Sequence, residues 1–158
     1  MSSNTQLLEA IYQHFGLEGS VYKGLLDLPI FVPGLDHHPL PAAVFNWRNT
    51  VLKADAIIIS TPVYIFNIPA VLKNALEWLT TSGEMDRKAV LPITYTPYAP
   101  RGEKAMQSLL WSLTALNAQV ITQLPLYKTE LAINTFGKLE GAESIELIAA
   151  AIHLLGHK

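Results

Sequence analysis

Apolar positions along this chain follow two rhythms that alternate. Residues Ala56 to Ser60 read AIIIS, a run with three consecutive isoleucines that predicts a strand covered on both faces in a parallel sheet. Thr61 and Pro62 stop it. Pro69 then stands where a first helical turn begins, and Val71, Leu72, Ala75, Leu76 and Leu79 recur at helical spacing, with Lys73, Asn74, Glu77 and Thr80 left for the outer side. The loop between them, Val63 to Ile68, is rich in large apolar groups that are costly to leave in water. A strand, a sharp loop and a helix in immediate succession make a ligand site at the strand's carboxyl end. The loop either receives something flat and apolar or packs on neighbouring chain or a second subunit, and elementary physics weights the two equally.

The rest of the chain keeps the alternation. Ser3 to Gln6 has the spacing of a capping box, and Leu7, Leu8, Ile11, Tyr12 and Phe15 continue as an amphipathic helix that Gly16 ends. Ser20 to Lys23 is a short strand candidate. Pro29, Pro33, Gly34, Pro39 and Pro41 keep the following stretch irregular until a helix begins near Ala42, carrying Val44, Phe45, Trp47, Val51 and Leu52. The strand and helix at Ala56 to Thr81 come next, then a strand at Ala89 to Thr94, a loop from Tyr95 to Gly102 and a helix from about Glu103 to Leu116. Gln119 to Thr122 predicts a brief strand, Leu124 to Thr135 fits either element, and Ala142 to Leu155 predicts a final helix. This alternation implies an α/β fold, a doubly wound parallel sheet with helices on both faces, in a single domain over residues 1–158.

Composition narrows the function more than the fold. Eleven Lys and Arg against thirteen Asp and Glu give a net charge of −2, without the footprint that nucleic acid or anionic lipid selects. Cysteine is absent, which removes disulfides, cysteine nucleophiles and thiolate metal sites and fits a cytoplasmic chain. The start MSSNTQ shows no secretory pattern, and no segment has the length and apolarity of a membrane span. Half the residues are hydrophobic and 15% are charged, an apolar excess that suits a subunit interface.

Three stretches carry a resemblance. Ala54 to Leu79, ADAIIISTPVYIFNIPAVLKNALEWL, is similar to a signature of the form ADAIIIxTPEYNGSIPGxLKNALDWL. Asp27 to Pro33, DLPIFVP, looks like a segment that follows a second strand, and Ser2 to Leu8, SSNTQLL, looks like the end of a phosphate-binding loop and the start of a first helix. In these motifs the chain resembles the NAD(P)H-dependent FMN reductases of flavodoxin-like fold, which include quinone, azo-dye and chromate reductases. The resemblance implies a three-layer flavodoxin-like domain, FMN as cofactor, NADPH or NADH as electron donor, a small-molecule acceptor, and a homodimer or homotetramer. It implies no protein catalytic residue and no metal, because the cofactor carries the chemistry.

The chain departs from the family in three loops. Family members begin with a hydrophobic strand that leads into a GSxRxxSxN loop, and this chain starts inside that loop. In the strand order 2-1-3-4-5 the absent strand lies near the middle, so its loss leaves two rows of backbone groups unpaired. Each buried unpaired group costs roughly 1 to 3 kcal/mol, against a domain stability of about 5 to 15 kcal/mol. Three resolutions are open: residues upstream of the given start, a tag or neighbouring chain in the gap, or direct pairing of the second strand with the third. The first is the expectation.

The resemblance assigns Ser2, Ser3 and Asn4 to the FMN phosphate, where hydroxyls and free N–H groups at a helix start surround an anion; ordinary helix capping is the alternative. It assigns Pro62, Val63, Tyr64, Ile65 and Phe66 to the isoalloxazine ring. Val63, Ile65 and Phe66 replace the family's Glu, Asn and Gly; backbone contacts to a ring survive such changes, whereas Phe66 is large enough to fill space that a ring or nicotinamide would use. A glycine-rich turn should fall at Thr94 to Gly102, and the chain has TYTPYAPRG there. Tyr95 or Tyr98 is a candidate to stack near a flavin and Arg101 a candidate for a phosphate of FMN or NADPH, with plain loop packing weighing equally; Thr96 belongs to the same loop. Asp36, His37 and His38 sit together in a proline-rich loop, but consecutive histidines do not readily turn both rings to one metal.

The leading expectation is therefore an FMN-dependent oxidoreductase that passes hydride from a nicotinamide to flavin and on to flavin, quinone or another small acceptor. Its rival is a degenerate scaffold of the same fold, without flavin, acting as a binding or assembly protein. A third reading is a nucleotide-binding regulatory domain.

Overall fold

A computed structural model describes residues 2–36 and 39–156. Its frame is a parallel sheet in which β2 (Ala89–Thr96) is the centre. On one side β2 pairs with β1 (Ala56–Thr61), in register from Ala56 opposite Ala89 to Thr61 opposite Thr94. On the other side it pairs first with β3 (Gln119–Val120) and then with β4 (Leu124–Tyr127). Every residue of β2 is buried, as expected for a strand flanked on both edges and covered on both faces.

Helices sandwich the sheet. On one face, α1 (Ser3–Phe15) and α5 (Ala142–Gly156) bury Leu7, Ile11 and Ile148 against Leu91, Ile93 and Leu126. On the other, α2 (Ala42–Lys53), α3 (Ala70–Glu77) and α4 (Glu103–Ala115) bury Val51, Leu76 and Leu109 against Val90. The β1 side chains divide between these layers, with Ile58 on the α1 face and Ile57 and Ile59 on the other, as alternation along a strand requires. The doubly wound α/β expectation holds.

A third cluster explains two residues of the central signature. Asn74 Oδ1 accepts the Phe31 N–H at 2.8 Å, Asn74 Nδ2 donates to the Pro29 carbonyl at 3.0 Å, and Trp78 Nε1 donates to the same carbonyl at 2.7 Å. Phe31 meets the buried Trp78 ring edge-on at 5.2 Å. Asn74 and Trp78 thus hold the Asp27–Pro33 stretch onto α3, pairing backbone groups that no strand serves.

Several boundaries differ from the sequence expectation. Ser20 to Lys23 is not a strand; a short 3-10 turn (Gly24–Asp27) follows it, and no described strand lies beside it to complete a ladder. The direct pairing of that segment with β1 is therefore not the resolution adopted. The first helix is capped by Ser2, whose Oγ accepts the Thr5 N–H at 3.2 Å, one residue before the capping box suggested by Ser3 and Gln6. The strand expected to end at Thr94 runs to Thr96 because β4 continues its ladder. The stretch at Leu124 to Thr135 resolves into β4 and the first strand of a small hairpin, β5 (Ala132–Ile133) with β6 (Leu139–Glu140). No described helix is long and apolar enough to cross a membrane.

Candidate functional site

Three segments meet at the carboxyl edge of the sheet: the amino end of α1, the loop after β1 and the loop after β2. Asn4 ties the first to the other two. Its Oδ1 accepts the Ser60 hydroxyl at 2.7 Å and its Nδ2 donates to the Tyr95 carbonyl at 3.5 Å, with the side chain buried. Ser2 Oγ is exposed and shares a 2.9 Å hydrogen bond with Thr5 Oγ1, while Ser3 forms the first turn. Of the three residues assigned to an anion, Ser2 takes the capping role that was the alternative and Ser3 opens the first turn of α1. Asn4 instead spends its side chain joining α1 to β1 and β2.

The loop after β1 is a tight hairpin. The Tyr64 N–H donates to the Asn67 carbonyl at 3.0 Å and the Asn67 N–H returns to the Tyr64 carbonyl at 2.9 Å. Both central residues have positive φ, Ile65 at 50° and Phe66 at 59°, as a two-residue type I′ turn demands. Asn-Gly suits those positions, and a β-branched residue and an aromatic one are strained there. The turn pushes both side chains outward, Ile65 being 97% and Phe66 73% exposed.

Opposite stands the loop after β2. Thr96 Oγ1 donates to the Arg101 carbonyl at 2.6 Å, closing the loop across a cis Ala99–Pro100 bond. Gly102, at φ 126°, precedes α4 and lies so near the sheet that an added Cβ would sit 3.0 Å from Thr94 Oγ1. That hydroxyl is buried without a hydrogen-bond partner among the described residues. The two loops enclose a cleft of about 540 Å³, walled by Val63, Ile65 and Phe66 on one side and by Tyr98, Pro100 and Arg101 on the other. The Lys104 ammonium lies 4.9 Å from the Phe66 ring centre, a cation–π contact that bridges the mouth.

The expected site residues are thus only partly brought together. Val63, Ile65, Phe66 and Arg101 line the cleft; Pro62 leads into the hairpin, and Tyr64 supplies its closing hydrogen bonds. Tyr95 does not face the cleft: its ring lies in the α1–α5 core, and its hydroxyl donates to the Leu131 carbonyl at 2.8 Å. Burial pushes its pKa up from the ordinary 10.0. The aromatic at the cleft from this loop is Tyr98. Thr96 is buried and serves the loop's backbone. Lys104 and Gly102 were missed, although a basic residue in the first turn after a glycine is a signal the sequence carries. His37 and His38 lie outside the described residues, and no cluster of three or more metal-ligating side chains occurs among those described.

Known proteins resemble this chain in sequence and fold. The chain is 33% identical over 146 residues to an NADH:(hydroxy)cinnamate reductase subunit, CrdA, of Vibrio ruber, covering 88% of this chain and 71% of that protein. It is 26% identical over 110 residues to a quinone reductase of Escherichia coli, spanning 58% of that relative's length. The fold superposes on FerB, a flavoenzyme NAD(P)H:(acceptor) oxidoreductase from Paracoccus denitrificans, with a TM-score of 0.81 at 20% identity over 98% of this chain and 88% of that one. The family model for NADPH-dependent FMN reductase matches residues 1–128, which include the amino end of α1 and both loops of the cleft. With that match across both walls of the cleft, the chain belongs to the NADPH-dependent FMN reductase family of oxidoreductases.

Proposed function

We propose that the cleft between the hairpin and the loop before α4 receives the isoalloxazine ring of FMN, and that the chain is the protein part of an NAD(P)H-dependent reductase of small acceptors such as flavins or quinones. The observation that carries this reading is the pair of apolar walls at the carboxyl ends of β1 and β2, with cationic Arg101 and Lys104 beside them. A volume of about 540 Å³ falls within the usual range for small-molecule sites. The donor set fits the group. Val63, Ile65 and Phe66 offer apolar contact to a flat ring, Tyr98 offers an aromatic face, and the backbone of the hairpin offers polar atoms whatever its side chains. The exposed hydroxyl of Ser2 and the free N–H groups of the first turn of α1 suit a phosphate.

When bound, FMN would supply the redox chemistry by accepting hydride from the nicotinamide. The residues of this chain would hold and orient it. Phe66 and Tyr98 exclude water from two sides, and Arg101 and Lys104 place positive charge where an anionic nucleotide approaches, with Glu103 partly offsetting them. Because the cofactor carries that chemistry, no side chain need act as acid or base. Self-association as a homodimer or homotetramer would bury exposed apolar side chains such as Leu26, Ile30, Phe45 and Leu52.

Titration of the purified chain with FMN, followed by flavin fluorescence and the visible spectrum, tests the reading. Saturable binding that weakens in Arg101→Ala supports it. Absence of binding removes it in favour of the flavin-free scaffold, a reading favoured by the engagement of Asn4 with Ser60 and Tyr95.

A further inference from the structure

An aromatic ring and an ammonium face each other across the mouth of the cleft. Phe66 stands on one wall and Lys104, in the first turn of α4, on the other, with Nζ 4.9 Å from the ring centre. Because the ammonium reaches Phe66 from the opposite wall, the ring face that it covers is the one turned into the cleft. Phe66 and Tyr98 are both exposed, so two aromatic side chains stand in water at the entrance.

The charges beside these rings are uncompensated. Among the described residues Arg101 and Lys104 form no ion pair, and Glu103 between them pairs with neither. Both cations stand at the amino end of α4, where the helix dipole is itself positive and a carboxylate is the stabilising choice. No side chain caps that end, and the buried Thr94 hydroxyl beside Gly102 has no hydrogen-bond partner among the described residues. Local preference is broken here without compensation from within the chain, which points to a ligand that supplies the missing negative charge. Val63, Ile65 and Phe66 offer nothing to a small hydrated anion. A ligand that gains from the walls and from the cations is a flat ring that carries an anionic group.

The Lys104–Phe66 contact fixes where that group sits. A ring that stacks on the inner face of Phe66 displaces the ammonium, which stays tethered at the edge of the incoming ring. A neutral ring forfeits the cation–π contact without return, whereas a ring with a carboxylate or sulfonate at that edge replaces it by a charge-assisted pair. In pyridine nucleotides and in FMN a sugar or ribityl chain separates the phosphate from the ring, so an ammonium at the ring's edge does not match them. We propose that Lys104, assisted by Arg101, determines the acceptor specificity of this site, and that the favoured acceptor is a planar aromatic molecule with an anionic substituent directly on its ring. The proposal rests on the reading of this cleft as the place where flavin and acceptor meet.

Two measurements test it and separate its failure from failure of that reading. The first is calorimetric titration of the purified chain, with and without FMN, by naphthalenesulfonate and by the neutral naphthalenesulfonamide. The parent should bind the sulfonate about fivefold tighter, the yield of a partly exposed ion pair. Lys104→Gln should remove most of that difference, Lys104→Arg should restore it, and added salt should shrink it in the parent. The second measurement follows reduction of a naphthoquinone sulfonate and of unsubstituted naphthoquinone by NADH in the FMN-loaded protein; each quinone takes up a hydride equivalent from NADH and a proton from solvent and leaves as the hydroquinone. In Lys104→Gln the kcat/KM of the sulfonate relative to that of the neutral quinone should fall about fivefold, chiefly through the KM of the sulfonate. Equal affinity of the parent for sulfonate and sulfonamide overturns the proposal, and does so alone if FMN binds. Sulfonate preference without FMN binding removes the flavin reading and leaves the anion-selective cleft standing. A Lys104→Gln protein with a raised KM for NADH and the parent's ratio of acceptors also overturns the proposal, because the charge then serves the donor.

Discussion

Replacing Ile65 by Asn and Phe66 by Gly together should stabilise the protein while weakening its proposed site. Both residues hold positive φ in the two-residue turn, at 50° and 59°. The left-handed region costs an L-residue about 1 to 2 kcal/mol, so the pair stores about 2 to 4 kcal/mol of strain that Asn-Gly largely avoids. Little burial is lost in exchange, since Ile65 and Phe66 are mostly exposed. Two terms oppose the gain. Loss of the Lys104–Phe66 contact costs about 0.5 to 1 kcal/mol, and the freer unfolded chain with a new glycine costs about 0.4 to 1 kcal/mol. The net lies between about 0 and 3 kcal/mol of stabilisation, centred near about 1.5 kcal/mol, which for a chain of this size raises Tm by about 3 to 6 °C at the centre of the range. The same exchange strips two apolar groups from one wall of the cleft, so FMN affinity should fall by about tenfold. Thermal unfolding followed by circular dichroism, with flavin titration on the same samples, reads both. A lower Tm refutes the claim that the turn is strained. Higher Tm with unaltered FMN affinity refutes the claim that these side chains form the ring's wall.

Tyr95→Phe removes the hydroxyl that serves the buried Leu131 carbonyl and should cost about 1 to 3 kcal/mol in chemical denaturation at pH 7. Because burial raises the Tyr95 pKa in the folded state, its contribution is fully present below about pH 10 and is lost as pH rises through the higher folded value; the variant should show a shallower alkaline loss of Tm than the parent. Tyr22, raised by burial and secondarily by Asp27, acts in the same direction and remains in both proteins. Asn4→Ala breaks the bridge to Ser60 and Tyr95 and should lower stability by about 1 to 3 kcal/mol, with faster amide exchange at the start of α1. In Asn74→Ala the Phe31 N–H and Pro29 carbonyl lose their shared partner, so limited proteolysis should cut the 29–33 stretch sooner while Tm falls by a few degrees; equal cutting in parent and variant would show that Trp78 alone holds the segment.

Local pattern made much of this fold legible. Three isoleucines at 57–59 and the helical recurrence from Val71 to Leu79 record how these segments are buried, and α1, β1, α3, β2 and α5 occupy nearly the expected positions. The cleft's location at the end of β1 was likewise readable, because a proline-bounded apolar loop between strand and helix is a feature of adjacent residues. Its composition was not. Tyr95 and Tyr98 lie three residues apart in one short stretch, and only the continuation of β2 along β4 turns the first into the core and leaves the second at the cleft. The segment at Ser20 to Lys23 has strand-like residues but no ladder, since pairing requires a neighbour that its own sequence does not encode.

Taken alone, the sequence determined most of the strands and helices, which faces are apolar, and that an apolar loop follows β1 at the carboxyl edge of a parallel sheet. These are short-range consequences of side-chain period and backbone preference. Tertiary structure alone decided that Ile65 and Phe66 occupy a type I′ turn, that Asn4 and Asn74 work as clamps, and that Lys104 meets Phe66 across the cleft. Each of those depends on groups distant in the chain arriving at hydrogen-bonding or packing distance, and only the folded arrangement fixes such distances.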